Sequence, residues 1–356
     1  MKIAIFDQIL EIHVCNALTQ ALTSLGHVPF CTSKVWQGHS PPSKASDIDH
    51  IDAIVDNLIA RKCDALFNFR ACSLLPRHVA ALRAAGVRTA VWLPDDPVLY
   101  QVSYKDIVDS YDLVLHCGDG SVLDFYDAKG HKKGVNFPFW VDPTRFVGNR
   151  AACEPDASPS GACKPWVFLG NLVGPVRGGR YAQLAVLHQG LDIWGKCNAD
   201  PSGMHRGYLQ TIDEVAGALT QYQVGINIPQ FFRDYAGTSY DFDGLGGMGH
   251  FFIPSRVVQY AAAGLPVVCI GPNTASNHFP LVIQVDTAEQ ALGVLTGLLS
   301  RHEVRAAMSA ASRAFVAANF SGLVRAKFLL ALFSGHIDPA ALGLHEREFA
   351  YTWWGS

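Results

Sequence analysis

Short apolar runs that alternate with helical stretches, twice over, constrain this chain more than any other feature. Lys2–Phe6, His27–Thr32, Ala65–Phe69, Arg88–Leu93, Leu113–His116 and Lys133–Phe137 read as strands. The helical patterns Val14–Leu25, Ile48–Lys62, Pro76–Ala85 and Val122–Ala128 fall between them and supply the crossovers that parallel strands require. Gly26 and Gly86 stop two of these helices, and Ser46 with Asp49 gives a loose capping signal for another. The expected product is a parallel sheet covered on both faces.

The stretch 142–164 breaks the alternation. It is rich in turn formers, as in Cys153-Glu-Pro-Asp-Ala-Ser-Pro-Ser-Gly161, and reads as a linker between domains. A second alternation then begins. Trp166–Gly170, Leu191–Gly195, Val224–Ile228, Pro266–Ile270 and Leu281–Val285 read as strands. Helices are expected over Gly179–Gln189, from Thr211 with Glu214 as its capping-box partner, and over Ser255–Ala263. Further helices follow at Ala291–Leu299, opened by Thr287 with Gln290, and at Val304–Asn319 and Leu323–Phe333. The chain therefore divides into a first domain (1–145), a linker (146–164), a second domain (165–335) and a closing segment (336–356).

Bulk numbers narrow the function classes. The 356 residues suffice for about two domains, and 49% hydrophobic against 17% charged residues mark a well-buried globular chain. A net charge of −3 gives no general attraction to nucleic acid or an anionic membrane. The nine cysteines are scattered without a Cys-x-x-Cys pair, which points to reduced thiols in the cytoplasm. The amino-terminal run is too short for a signal peptide, and no apolar run reaches the length of a membrane span. A soluble cytoplasmic protein without integral membrane association is the expectation.

Open α/β sheets bind ligands at the carboxyl ends of their strands, so the candidates are polar residues just past each apolar run. Pro254-Ser255-Arg256 opens an Ala-rich helix with a hydroxyl and a guanidinium, which suits a phosphate at a helix amino terminus. The run 244–249, with Gly247 inside it, is flexible enough to bring backbone close to a ligand. Gly170 and Asn171 end the first strand of the second domain, with Arg177 and Arg180 before the next helix. This pairing of glycines and arginines favours a diphosphate ligand, although no dinucleotide fingerprint or phosphate loop of the nucleotide triphosphatases is present. In the first domain, Asp95 and Asp96 close a strand and offer a general base or an acceptor-orienting group; a simple turn before Pro97 is the plainer alternative. Asp7 and His116 also follow strands and are further acid–base candidates, as Asn68 and Arg70 are polar ones. No metal-ligand set stands at recognisable spacing. Lys129, Lys132 and Lys133 with His131 form a small basic cluster for which a solvated surface is the plainer reading.

Asp95-Asp-Pro97, Tyr111-Asp-Leu-Val-Leu-His116 and Asn136-Phe-Pro-Phe-Trp-Val-Asp-Pro143, in this order, resemble the first half of the spore-maturation CgeB-like glycosyltransferases. Phe168-Leu-Gly-Asn171 with Arg180, and Pro254–Gly264, resemble the second half. The resemblance spans roughly 88–145 and 165–270. It implies a GT-B architecture of two Rossmann-like, doubly wound domains facing a cleft, with a C-terminal helix crossing back to the first domain. It implies that Arg180, Ser255 and Arg256 face a donor diphosphate and that the turn carrying Trp194 and Gly195 lies near the base. Metal-independent transfer follows in the same way, because helix termini and arginines neutralise the leaving group. One departure stands out: related GT-B families often hold the donor ribose with a glutamate where this chain has Gln259, and the paired glutamate is replaced by Phe251. A retaining mechanism is thereby put in question.

The resulting expectation is transfer of a sugar from a nucleotide-diphosphate sugar, UDP being the expected nucleotide, to an acceptor hydroxyl, with no other cofactor. The acceptor is left open among a polysaccharide, a protein, a small molecule and a modified DNA base, and the oligomeric state is open as well. The rival readings are a nucleotide-sugar epimerase on the same fold and a non-catalytic nucleotide or glycan binder.

Overall fold

A computed structural model describes residues 1–6, 15–32, 42–69, 71–146, 163–173, 180–198, 200, 203–229, 235–248, 253–271, 279 and 281–352. The chain forms two compact units, each built on a six-stranded parallel sheet.

The first unit comprises Met1–Phe139 with two later segments, Tyr235–Met248 and Gly322–Ser356. Its strands are β1 (Lys2–Phe6), β2 (Val28–Cys31), β3 (Ala65–Asn68), β4 (Arg88–Leu93), β5 (Leu113–His116) and β6 (Val135–Asn136), in the order β2-β1-β3-β4-β5-β6. The crossovers include α1 (Cys15–Ser24), α2 (Ala45–Ala60), α3 (Pro76–Ala84) and α4 (Gly120–Ala128). Strands β3, β5 and β6 are buried at every residue, as continuous apolar runs under helices demand. Ser46 does not cap α2: the helix starts one residue earlier, after Lys44, with no side-chain cap.

Chain position puts 235–248 and 322–335 in the second domain, and packing places both in the first unit. The return to the first unit begins at Gly322, not at 336. Helix α10 (Gly322–Ser334) lies so close to α1 that a β-carbon on Gly322 would stand 2.5 Å from the Ala17 carbonyl oxygen. Arg325 is fully buried, donates from Nε to the Pro138 carbonyl at 3.0 Å and lies 4.5 Å from the Tyr351 ring. Burial pushes its guanidinium down to about 9, which leaves it protonated at neutral pH. From α11 (Leu344–Phe349), Arg347 reaches the Gly134 carbonyl at 3.0 Å and the Asp127 carboxylate. The periodicity of Leu323–Phe333 announces a helix but not the core it joins. Likewise Tyr240 and Phe242 pack on the first core, with the Phe242 ring 5.3 Å from both Tyr100 and Phe125.

The second unit comprises Trp140–Asp234 and Gly249–Ser321. Its strands are β7 (Lys164–Leu169), β8 (Leu191–Trp194), β9 (His205–Gly207), β10 (Tyr222–Asn227), β11 (Val267–Ile270) and β12 (Val282–Val285), in the order β12-β11-β10-β7-β8-β9. Helices α5 (Arg180–Ala185), α6 (Ile212–Leu219), α7 (Ser255–Ala262), α8 (Ala288–Ser300) and α9 (His302–Asn319) accompany them. The box at Thr211 and Glu214 caps α6 as its sequence requires, and Thr287 accepts from the Gln290 amide at the start of α8. Strand β9 has no apolar run to announce it.

Asp192 on β8 joins three elements by accepting from Lys164 Nζ at 2.6 Å, Arg206 Nε at 2.6 Å and the Tyr222 hydroxyl at 2.7 Å. Burial alone raises a carboxyl, but here the hydrogen bonds from Lys164, Tyr222 and Arg206 outweigh it and hold Asp192 below its usual value. A depressed carboxylate contributes stability that is complete above its unfolded value near 4 and lost as pH falls through the folded value. The melting-temperature difference between the wild type and Asp192→Asn should therefore be constant above about pH 5 and shrink towards pH 2.

Cys31, Cys63, Cys72, Cys117, Cys197 and Cys269 are free thiols, whereas Cys163 is disulfide-bonded. The expectation of uniformly reduced cysteines fails at that position. Among the described residues no helix is long and apolar enough to cross a membrane.

Candidate functional site

Where a parallel sheet reverses its winding, the loops leaving two neighbouring strands diverge and open a crevice. In the second unit this point lies between β7 and β10. Gly170 and Asn171 leave β7, Asn227 closes β10, and α7 opens with Ser255 and Arg256 after Pro254. The first-turn amides of such a helix have no carbonyl partners within it and attract anions.

Arg256 is held in one orientation. Its Nη1 donates to Asn227 Oδ1 at 2.9 Å and towards the Ile228 carbonyl at 3.4 Å, and its guanidinium lies 5.1 Å over the Phe168 ring. Asn227 is fixed in turn, since its Nδ2 donates to Cys269 Sγ at 3.1 Å. Burial pushes the Cys269 thiol up to about 11, so an uncharged sulfur faces the amide. Leu169 donates from its amide to the Tyr260 hydroxyl at 2.6 Å, which ties the end of β7 to α7.

The glycines set the approach of the backbone. A β-carbon on Gly170 would lie 3.1 Å from Phe168 Cε1 and 3.2 Å from Arg256 Nη2. At Gly195, with φ +150°, it would lie 2.2 Å from the Gly170 carbonyl oxygen. The two turns are laced together by Gly170 N to Trp194 O at 2.8 Å, Leu172 N to Lys196 O at 2.7 Å and Lys196 N to Asn171 Oδ1 at 2.9 Å. His205 adds a ring-nitrogen bond to the Gly195 carbonyl.

Gly170, Asn171, Gly195, Ser255 and Arg256 thus gather at one edge of one sheet. Trp194 is half-buried, and its indole donates to the Tyr222 hydroxyl at 3.0 Å. Gln259 is 2% exposed, within the buried part of α7, and Arg180 is 6% exposed at the first position of the short α5. Gly247 belongs to the segment grouped with the first unit, so it is not a neighbour of Arg256 within the second. Asp7, Arg70 and Arg177 lie outside the described residues. Asn227 and His205, and the Phe168 ring beneath Arg256, are site features that the sequence alone does not announce. Asn227 carries the clearest missed signal, a polar residue ending an apolar strand.

In the first unit the two adjacent carboxylates part company. Asp95 is exposed, while Asp96 and His116 are fully buried. Asp96 accepts from the Tyr126 hydroxyl at 2.7 Å and from His116 Nδ1. Asn68 is also buried, donating to the Tyr111 hydroxyl at 2.7 Å. Three members of the basic cluster contact their own surroundings: Lys132 reaches the Tyr111 carbonyl, His131 pairs with Asp109 at 2.7 Å, and Lys129 lies 5.7 Å over Phe125.

A cavity of about 340 Å³ opens at the amino ends of β7 and β8, lined by Lys164, His188, Asp192 and Arg206. It is at the opposite edge of the sheet from Arg256, and Asp192 already holds both of its cations. Among the described residues no group of three His, Cys, Asp or Glu side chains is placed to hold a metal ion.

No family model and no curated protein sequence matches the chain. Solved structures do resemble it. Anabaena HepE, in a crystal structure with UDP-glucose, matches with a TM-score of 0.58 at 9% identity, over 94% of this chain and 100% of that one. AviGT4, a glycosyltransferase involved in avilamycin A biosynthesis, matches with a TM-score of 0.56 at 14% identity, over 96% and 99%. A putative UDP-N-acetylglucosamine 2-epimerase from Listeria monocytogenes matches with a TM-score of 0.53 at 10% identity, over 95% and 98%. Two Rossmann-like units with parallel six-stranded sheets, the last helices returning to the first unit, are the GT-B fold.

Proposed function

We propose that this chain is a glycosyltransferase that moves a sugar from a nucleotide-diphosphate sugar, a UDP-sugar, to an acceptor hydroxyl. The observation that carries the reading is the fixed Arg256 at the switch point of the second sheet, beside two turns that Gly170 and Gly195 allow to pack backbone to backbone. UDP-glucose in the Anabaena protein of the same fold supports the choice of nucleotide.

In this reading Arg256, the Ser255 hydroxyl and the first turn of α7 meet the negative charge that grows on the diphosphate as it leaves. We assign charge neutralisation to these groups rather than to a metal ion. Asp95, the exposed member of the Asp95–Asp96 pair in the first unit, takes the proton of the acceptor hydroxyl. The acceptor oxygen forms its bond to the anomeric carbon, the bond from that carbon to the phosphate oxygen breaks, and UDP departs with the electron pair.

The test is incubation with UDP-glucose and with UDP-N-acetylglucosamine, followed by chromatographic separation of the nucleotides. Release of UDP, slow with water and faster when a suitable acceptor is added, is the expected result. Conversion of UDP-N-acetylglucosamine to its epimer would favour the reaction of the Listeria neighbour instead. An unchanged donor that nonetheless binds would leave a nucleotide binder.

A further inference from the structure

We propose that Asp96, His116 and Tyr126 form a buried positioning unit for Asp95, and that none of the three touches substrate. The inference rests on Asp95 as the proton acceptor of the reaction proposed above.

Neighbouring aspartates usually look interchangeable, but packing separates these two. Asp96 and His116 are 0% exposed and Tyr126 is 1% exposed. Both carboxylate oxygens of Asp96 are committed inward, Oδ1 to the Tyr126 hydroxyl at 2.7 Å and Oδ2 to His116 Nδ1. An acceptor hydroxyl arriving from solvent would have to displace one of these buried bonds and leave a buried group unsatisfied. The Tyr126 hydroxyl is pushed well up by burial and by the Asp96 charge, so it stays protonated and donates.

His116 cannot reach out either. Its bond to Asp96 places a proton on Nδ1, and Nε2 is buried without a hydrogen-bond partner. Gly134 closes over that nitrogen so tightly that a β-carbon there would stand 2.4 Å from Nε2. The ring is therefore walled in at Nε2 by the Gly134 backbone.

What the unit fixes is the turn. Asp96 is tied to His116 on β5 and to Tyr126 on α4. On the other side of Asp95, the Pro94 carbonyl accepts from Cys117 Sγ at 2.7 Å. That thiol is pushed well up by burial and by Asp96, which keeps its proton available for the bond. The Asp95 carbonyl itself accepts from the Leu99 amide at 3.2 Å. Asp95 is thus the exposed residue between two anchored neighbours at the carboxyl end of β4. Positioning of this kind is what a catalytic group requires of its supports.

The test uses the full-length protein, UDP-glucose with water as acceptor, and release of UDP as the rate. Here the water oxygen bonds to the anomeric carbon, its proton passes to Asp95, and UDP leaves. Asp95→Asn is expected to lower kcat about 1,000-fold and to abolish the acidic limb of the pH–rate profile. Asp96→Asn and Tyr126→Phe are expected to lower kcat about tenfold, with KM and the acidic limb retained. Crystal structures give a second readout: the 94–97 turn stays in place in Asp95→Asn and shifts by about 0.5 Å or more in Tyr126→Phe. Loss of the acidic limb in Asp96→Asn but not in Asp95→Asn would overturn the assignment. So would a Tyr126→Phe protein with wild-type rate and an unmoved turn. If the wild type does not hydrolyse UDP-glucose, the crystal comparison alone decides whether the buried unit positions Asp95.

Discussion

Replacing Arg256 by alanine is expected to weaken UDP binding about 30- to 100-fold while the protein remains folded. A hydrogen bond to a charged partner contributes about 1.5–3 kcal/mol, and 1.4 kcal/mol is a factor of ten in affinity. Arg256 is half-buried, and its bonds to Asn227 and Ile228 join neutral acceptors. Asn227 keeps its Nδ2 bond to Cys269 but its buried Oδ1 loses this donor, so the truncation is expected to cost about 1–3 kcal/mol of stability. Arg256→Lys separates charge from shape. It retains the cation but loses the planar fork and the stacking on Phe168, and a deficit of about tenfold is expected. Titration calorimetry with UDP, beside a melting curve for each variant, checks both halves of the prediction.

Gly195→Ala is expected to be more damaging than its single methyl group suggests. The added carbon would stand 2.2 Å from the Gly170 carbonyl oxygen and 3.2 Å from the Asn171 amide nitrogen. These are backbone atoms, so no side-chain rotation relieves the clash, and φ +150° is a conformation that residues with a β-carbon rarely adopt. Overpacking and backbone strain of this kind each cost about 1–3 kcal/mol. The expected result is a loss of about 3 kcal/mol or more in denaturant unfolding, together with loss of UDP binding as the turns separate. Gly217→Ala is the matching control. It lies inside α6 with nothing within 4 Å of the added carbon, and is expected to be neutral or to stabilise by up to about 1 kcal/mol.

Most strands were legible because they are apolar runs whose length leaves little choice. Lys2–Phe6, Arg88–Leu93 and Leu113–His116 coincide with observed strands to the residue. The capping boxes at Thr211 and Thr287 were legible for an equally local reason. Tertiary choices were not. Nothing in Leu323–Phe333 says which core will receive Arg325, and nothing in Tyr240 and Phe242 says that they join the first core. Asp95 and Asp96 show the same limit inside a functional motif. Their identical chemistry hides that one side chain is sealed behind Tyr126 and His116 while its neighbour is exposed. At the donor edge, Ser255, Arg256 and Gly170 were readable from composition and position, whereas the partner that orients Arg256 lies on a strand 29 residues away and emerged only from the fold.

The most direct test of the account is a crystal structure of the protein soaked with UDP at millimolar concentration. The account predicts the diphosphate at the carboxyl edge of the second sheet, within hydrogen-bond distance of Arg256 and the first turn of α7, with Gly170 and Gly195 against the nucleotide. UDP seated at the opposite edge, between Lys164 and Arg206, or a crevice that stays empty at that concentration, would contradict it.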